Sequence, residues 1–531
     1  MTAILAATFG MSPSASPEAN RIALQAACAA AVLPDYVVLP EGVCDVGDKQ
    51  GTGYAITLQR GVDIRAHANG STLRQTGASP GIGWRLFLIT AGYGYRFGAG
   101  SDHGRGVLTL DGSGVQSPFV DQNHLVDLNV LDGEIADVRF DAVVFQHSGS
   151  GALNTGDGLR MVGSAVRGCT DIWIVGCTFY NCGRSGVSPN RGSGRIKVIG
   201  CTFDLSSDQH FDIESSGLAP VDGITIQGCT FLRNRTAGIS ISLGGADIVN
   251  VVRNVLIEDC DFTGGGALQG LFTENVTIRR CTFLPERLPA VYSTIAFLAY
   301  NLNLLIEDCH VEHYPEQGVL PAVQVFADFG TATDFLVIRD TTIVQYALAH
   351  CVELLQTNHV SFDGGEIQYR GTADAAFYGV ALRLVGDSIK SFVMVDTVVD
   401  GQSAARLLCG IGTTPDAPFT FEGISIDRVA ISGATIGLYT TGTQTAYADE
   451  PQFRGASLGA GVTPISQTSV SAPVVCIAGE RGAANVRALS GWGNPEGSVT
   501  APVGSSYVRR ETGVTYYKAT GTGNTGWVVQ T

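Results

Sequence analysis

Charge is scarce in this sequence. Asp, Glu, Lys and Arg make up 15% of 531 residues, with 49 acidic against 33 basic side chains and a formal net charge of −16. That balance argues against nucleic acid or an anionic membrane as a partner, because phosphate surfaces are held by Lys and Arg that displace counterions. Long apolar runs are missing too: none reaches the ~18 residues of a membrane span. The opening MTAILAATFG has no basic residue ahead of Arg21, so no export signal is legible. The 13 cysteines include no CxxC pair and no His/Cys spacing of a zinc site, so buried free thiols are expected rather than a metal centre or disulfide framework. No GxSxG elbow, HExxH helix or Walker loop is present, and the chemistry those motifs carry is set aside.

What is abundant is Gly, at 68 residues, together with β-branched residues in short runs. Such a composition favours many strands and turns. The runs repeat. IVGCTF, VIGCTF, IQGCTF, IEDCDF, IRRCTF and IEDCHV bring Cys177, Cys201, Cys229, Cys260, Cys281 and Cys309 into one register, with steps of 24, 28, 31, 21 and 28 residues. The register continues more weakly through Thr341, Gly365, Thr397 and Val429. Each unit has an apolar residue three before the Cys and another two after it, which is strand alternation at a period too short for a propeller blade. An all-β chain folded as a right-handed parallel β-helix accounts for this, with the cysteines packed as small apolar residues.

A second strand precedes each Cys strand: GLRMV, GVSPN, HFDIE and GISIS begin at residues 158, 186, 210 and 238. Stacking them sends Leu159, Val187, Phe211 and Ile239 inward, with Met161, Pro189, Ile213 and Ile241. The alternate positions, Arg160, Ser188, Asp212 and Ser240, then Val162, Asn190, Glu214 and Ser242, face outward together.

The segment SPEANRIALQAACAAA has helical spacing, with Ser16 or Ser14 as N-cap and Pro17 in the first turn, and suits a short helix capping the open end of the coils. This helix, followed by VVLPEGVCDVG and VDIRAHANGSTLRQTG, resembles the start of the pectate-lyase-like β-helix superfamily, which is common in bacteriophage tailspikes. The C-terminal PEGSVTAPVGSSY and YKATGTGNTGW resemble a terminal segment of phage tail fibres and tailspikes. These resemblances imply a homotrimer on a virion tail, held by the phage tail or an adaptor protein. The expected organisation is a cap at 1–50, the β-helix at 51–445, an exit and linker at 446–485, and a small C-terminal β module at 486–531.

On the outward face Asp212 and Glu214 lie two apart on one strand, with Asp208 shortly before them. Paired carboxyls among hydroxyls and amides suit glycoside hydrolysis, which needs one carboxyl protonated beside one ionised. The expected catalytic residues are Asp212, Glu214 and Asp208. Arg184, His210, Arg160, Asn190, Arg191, Ser188 and Ser240 are the expected substrate contacts. GRSGV followed one coil later by HFDIE also resembles a paired signature of the superfamily, an RxGI strand and then GIDIEP, with His210-Phe211 and Ser215-Ser216 as departures. No cofactor is required, although Asp208, Asp212 and Glu214 could hold Ca2+. Asp157 reads as a turn residue, and His124 and His147 as surface residues near the patch. Tyr292, Tyr300, Glu312, His313, Tyr314 and Glu316 offer aromatic and acidic groups further along. The expected substrate is a bacterial surface polysaccharide. A lyase using His210 with Arg184, Arg191 or Arg160, a non-cleaving adhesin, and an epimerase stay open on the same fold.

Overall fold

The structure, a computed structural model, describes residues 2–49, 52–77, 83–98, 106–115, 123–149, 156–215, 219–234, 236–242, 251–264, 267–285, 293–317, 320–326, 334–347 and 349–371. Beyond these it describes 380–385, 388–401, 406–411, 419–421, 424–432, 436–441, 445–447, 452–454, 457–458, 463–467, 475–477, 488–491, 493–499, 501, 503–509, 511–521 and 523–530. The chain divides into two compact units, residues 1–292 and 293–531.

The first unit opens with helix α1, Pro17–Ala30. The Ser16 hydroxyl caps it by accepting from the Ala19 amide at 3.2 Å, and Pro17 occupies the first turn, where its missing N–H costs nothing. Ala23, Leu24, Ala27 and Cys28 form its buried face. Asn20 ties the helix to the entry strand Gly42–Val46 by donating to the Asp45 carbonyl at 3.0 Å.

Parallel coils follow. Each contributes up to three strands, as in Leu159–Val162, Cys169–Val175 and Thr178–Tyr180, and each strand pairs in register with its counterparts in the coils on either side. The cysteine register sits at the tight corner between the second and third strands. The residue just before it must turn in the left-handed region: Gly176, Gly200 and Gly228 have φ near +60°, and Asp259 and Arg280 adopt the same conformation. Glycine is the low-strain choice there, which is why the motif so often reads Gly-Cys. The buried thiols donate to the carbonyl two residues back, from Cys229 to Gln227 at 3.4 Å and from Cys260 to Glu258 at 3.2 Å. Inside the coils Phe145, Phe179, Phe203, Phe231, Phe262 and Phe283 stack as one column, with centroids 4.5–4.9 Å apart and planes within 10°.

In the second unit the same register continues through Cys309, Thr341, Thr397 and Val429, all buried. Threonine takes over the bond made by the thiol: the Thr341 hydroxyl donates to the Arg339 carbonyl at 2.8 Å, and that of Thr397 to Val395 at 3.0 Å. Coil pairing extends into the stretch expected as a linker, since Gln452–Arg454, Ser457–Leu458 and Thr463–Gln467 each pair in parallel with an earlier coil. A five-stranded sheet follows, Val475–Ile477, Ala488–Gly491, Ser506–Arg509, Val514–Lys518 and Trp527–Val529. Val499, Ala501, Tyr507, Tyr516 and Trp527 form its core. Two polar residues of the terminal motif have structural work: Glu496 accepts from the amides of Gly526 and Trp527, and buried Lys518 donates to the carbonyls of Gly523 and Thr525.

Phe203→Ala, which opens a gap in the ring column, is expected to cost about 3–5 kcal/mol in urea unfolding. Cys229→Thr, which keeps the donor at the corner, is expected to cost about 1 kcal/mol or less.

Candidate active site

Six strands of the first unit build one wall: β1 (Arg85–Ile89), β2 (His124–Asn129), β3 (Leu159–Val162), β4 (Val187–Pro189), β5 (Gln209–Glu214) and β6 (Ala237–Ser242). Leu159, Val187, Phe211 and Ile239 point into the core and are fully buried. The residues between them form a file: Asp127 pairs with Arg160, Arg160 with Ser188, and Asp212 with Ser240. Ser188 faces Asp212, because Val187 pairs with Phe211 and Asn190 with Glu214 on either side of it. Ser240 then pairs with Gln269, whose amide donates to its hydroxyl at 3.0 Å.

This outward face is not a wet one. Asp127 and Ser188 are wholly enclosed and Asp212 is only 4% exposed, while Glu214 and Asp208 are half-buried. Burial disfavours a charged carboxylate, so it pushes the Asp212 carboxyl well above the usual range, and the Glu214 charge pushes it the same way. Arg184 pulls in the opposite direction and is outweighed, with Asp157 and Asp208 adding further negative charge.

Arg184 is already committed elsewhere. Its Nε and Nη2 donate to the two carboxylate oxygens of Asp157 at 2.8 and 2.6 Å, and Nη2 also reaches the Ser188 hydroxyl at 3.2 Å. Asp157 is fully buried, and burial alone would raise its carboxyl. The Arg184 charge and the bond to His124 prevail and hold it well below the usual range. His124, also fully buried, places Nδ1 3.2 Å from Asp157 Oδ2 and Nε2 3.4 Å from Arg160 Nη1. The Asp157 backbone amide also donates to His124 Nδ1 at 3.1 Å, and burial lowers the pKa of the ring. Arg160 lies 3.8 Å from Asp127, which accepts from Arg85 Nε at 2.9 Å. These groups form one chain in which each carboxylate stands between two basic side chains: Arg184, Asp157, His124, Arg160, Asp127 and Arg85.

The structure brings together Asp212, Glu214, Arg184, Ser188, Asn190 and Ser240, with Arg160 two coils from Asp212. Asn190 Nδ2 donates to the Ser188 hydroxyl at 3.0 Å. Three expected residues are engaged differently. His210 is not a border residue. It lies inside the coil, fully buried beside Phe203 and Phe231, with Nδ1 2.9 Å from the Ser206 hydroxyl and Nε2 3.1 Å from the Leu232 carbonyl, and burial lowers its pKa to about 4. Asp208 accepts from the Thr236 hydroxyl at 2.5 Å, and Arg191 Nε donates to the Gly163 carbonyl at 3.3 Å. Among the described residues no three His, Cys, Asp or Glu side chains converge as a cation would require, so Asp208, Asp212 and Glu214 do not form the calcium arrangement considered for them.

Asp157 and His124 correct the expectation in the other direction, being neither a simple turn residue nor a surface residue. Their signal was one of spacing: the Asp157 carboxylate meets Arg184, 27 residues on, and His124 meets Asp157, 33 residues on. His147 bonds Asn181 through Nδ1 at 2.8 Å and takes no part in this chain. Tyr292 lies outside the described residues. Tyr300, Glu312, His313, Tyr314 and Glu316 belong to the second unit, where Glu312 accepts from His310 and Tyr314.

Asp157→Asn leaves Arg184 without its counter-charge and is expected to cost about 3–5 kcal/mol in urea unfolding, part of it recovered in the double variant with Arg184→Met. Asp212→Asn should act the other way. Below the ordinary carboxylate range, at pH ~2–3, both states hold the proton and no difference is expected. As pH rises the folded chain must keep a proton that the unfolded chain releases, so wild-type stability falls and the Asn variant melts higher by a growing margin.

Residues 120–256 and 222–368 match a family model described as "Right handed beta helix region". No curated protein matches the chain. Among solved structures it is similar to tailspike protein 3 of Bacteriophage CBA120, with 12% identity and a TM-score of 0.42 over 99% of this chain and 68% of that one. It is similar to the A-module of a mannuronan C-5 epimerase from Azotobacter vinelandii, with 16% identity and a TM-score of 0.39 over 75% and 99%. It is also similar to a Family 28 exopolygalacturonase from Yersinia enterocolitica, with 12% identity and a TM-score of 0.39 over 75% and 79%. The in-register coils and the family match together identify the chain as a right-handed parallel β-helix protein.

Proposed function

We propose that this chain is a tailspike-type depolymerase that hydrolyses glycosidic bonds in a bacterial capsular or exopolysaccharide. The observation that carries this is the placement of Asp212, a buried carboxyl on the same strand face as a second, half-buried carboxyl, Glu214, where burial and the Glu214 charge push its pKa well above the usual range. A proton held near neutrality is what a general acid must deliver to a leaving glycosidic oxygen. Glu214, two residues along and roughly 6.5–7 Å away at Cα, is the partner that activates water or attacks the anomeric carbon. Asp208 supplies additional negative charge close by. Arg184 is the positioning cation, and Ser188, Asn190 and Ser240 line the same wall.

The β-elimination alternative asked His210 for its base. A ring sealed in the core with both nitrogens engaged is poorly placed to take a substrate proton, which favours hydrolysis. The homotrimer, the virion tail location and the phage tail or adaptor partner rest on the resemblance of residues 494–531 to tail-fibre and tailspike termini, and light scattering of the intact chain is expected to give three copies.

Incubation with capsular and exopolysaccharides of candidate hosts is expected to release reducing ends without the ultraviolet absorbance of an unsaturated uronate. Asp212→Asn should lower the rate by roughly 10²-fold or more while leaving the fold intact. Unsaturated product would move the assignment to a lyase, and binding without new ends would move it to an adhesin.

A further inference from the structure

The chain of groups beside Asp212 is uneven in what it shows to solvent. Its acids are sealed: the side chains of Asp127 and Asp157 are 0% exposed. Its bases are not: Arg85, Arg160 and Arg184 are 19, 20 and 18% exposed, one from each of three strands or their entry turns. With His124 neutral, three guanidiniums stand against two carboxylates, so the strip carries a net positive charge in a chain whose total is −16.

The donor inventory is also unfinished. Arg160 meets only His124 and, at 3.8 Å, Asp127; its Nε is buried without a partner, and its Nη2 bonds nothing among the described residues. Arg184 uses Nε and Nη2, leaving Nη1 unused. Both side chains keep part of their surface in solvent. A guanidinium edge with free donors, fixed by a buried acid behind it, matches the planar fork of a carboxylate.

We propose that Arg160 and Arg184 form a subsite for the carboxylate of an acidic sugar, so that the polymer bound on this wall carries uronic acid. The proposal rests on the carbohydrate reading of the site. Arg160 stands two ladder steps, roughly 9.5 Å, from Asp212 along the file. That separation leaves the acidic sugar beside the reacting bond. Ser188, between the two, already accepts from Arg184 and Asn190, and its own hydroxyl proton is left to offer to the intervening ring.

The test is equilibrium binding of methyl glucuronide and methyl galacturonide to the full-length protein, with the methyl glycosides of glucose and galactose as neutral controls. At low salt the uronides are expected to bind at least roughly tenfold more tightly than the neutral sugars, and the preference should collapse at roughly 0.3 M salt. Arg160→Gln should remove it and Arg160→Lys restore it in part, because a point charge replaces the fork. Asp127 keeps Arg85 in both variants, and an unchanged melting temperature would show that the fold is intact. Equal binding of uronides and neutral sugars by the wild type would overturn the subsite, as would an unchanged preference in Arg160→Gln. If uronide preference stands while Asp212→Asn still cleaves, the hydrolytic assignment fails and the subsite survives.

Discussion

The constraint on which everything else depends is the in-register stacking of successive coils. A parallel ladder gives each residue two fixed neighbours, one coil before and one coil after, at the strand spacing of roughly 4.8 Å. Whatever a position holds is therefore repeated or opposed at that distance. Apolar positions become columns, as in the six phenylalanines from Phe145 to Phe283. Corner positions become rows of donors, and it matters little whether the donor is Cys229 or Thr341, since both reach the carbonyl two residues back. Charged positions have to be answered by the neighbouring coil or by water.

On the wall carrying Asp212 water is largely removed, and the two outcomes of removing it stand side by side. Asp157 keeps its charge because Arg184 meets it bidentately and His124 closes the remaining side, so desolvation is offset. Among the described residues Asp212 has no such partner. The guanidinium that could serve it is taken, its strand neighbour Glu214 is another carboxyl, and the cheaper state in a low-dielectric setting is the protonated one. One arginine placed on Asp157 rather than Asp212 thus pushes the pKa values of two carboxyls on the same wall in opposite directions.

The ladder was legible in the sequence because repetition writes it many times over. Six cysteines and the apolar residues around them return at every coil, and the inward placement of Phe211 and Ile213 follows from strand parity alone. The enclosure of the outward face was not legible, since it depends on what lies across from the wall rather than on the wall's own alternation. His210 was misjudged for a related reason: it sits where the strand begins, and there the chain turns its side chain inward beside Phe203 and Phe231 instead of obeying the alternation that holds from Phe211 onward. Asp157 and His124 were passed over because an Asp-Gly pair has a sufficient explanation as a turn. Only the partner a coil away distinguishes a turn aspartate from the buried anchor of an arginine.

The orphaned oxygen of Asp127 follows from the same geometry. Among the described residues Asp127 Oδ1 is buried without a hydrogen-bond partner, while Oδ2 accepts from Arg85 at 2.9 Å and lies 3.8 Å from Arg160, whose Nε is itself unpartnered. Unsatisfied buried charge is costly and persists where the surroundings over-determine it. Here the surroundings are the ladder, which fixes Asp127 opposite Arg160, and His124, which draws the guanidinium toward its own Nε2. The loose pair leaves the Arg160 side chain 20% exposed on the wall, two coils from Asp212.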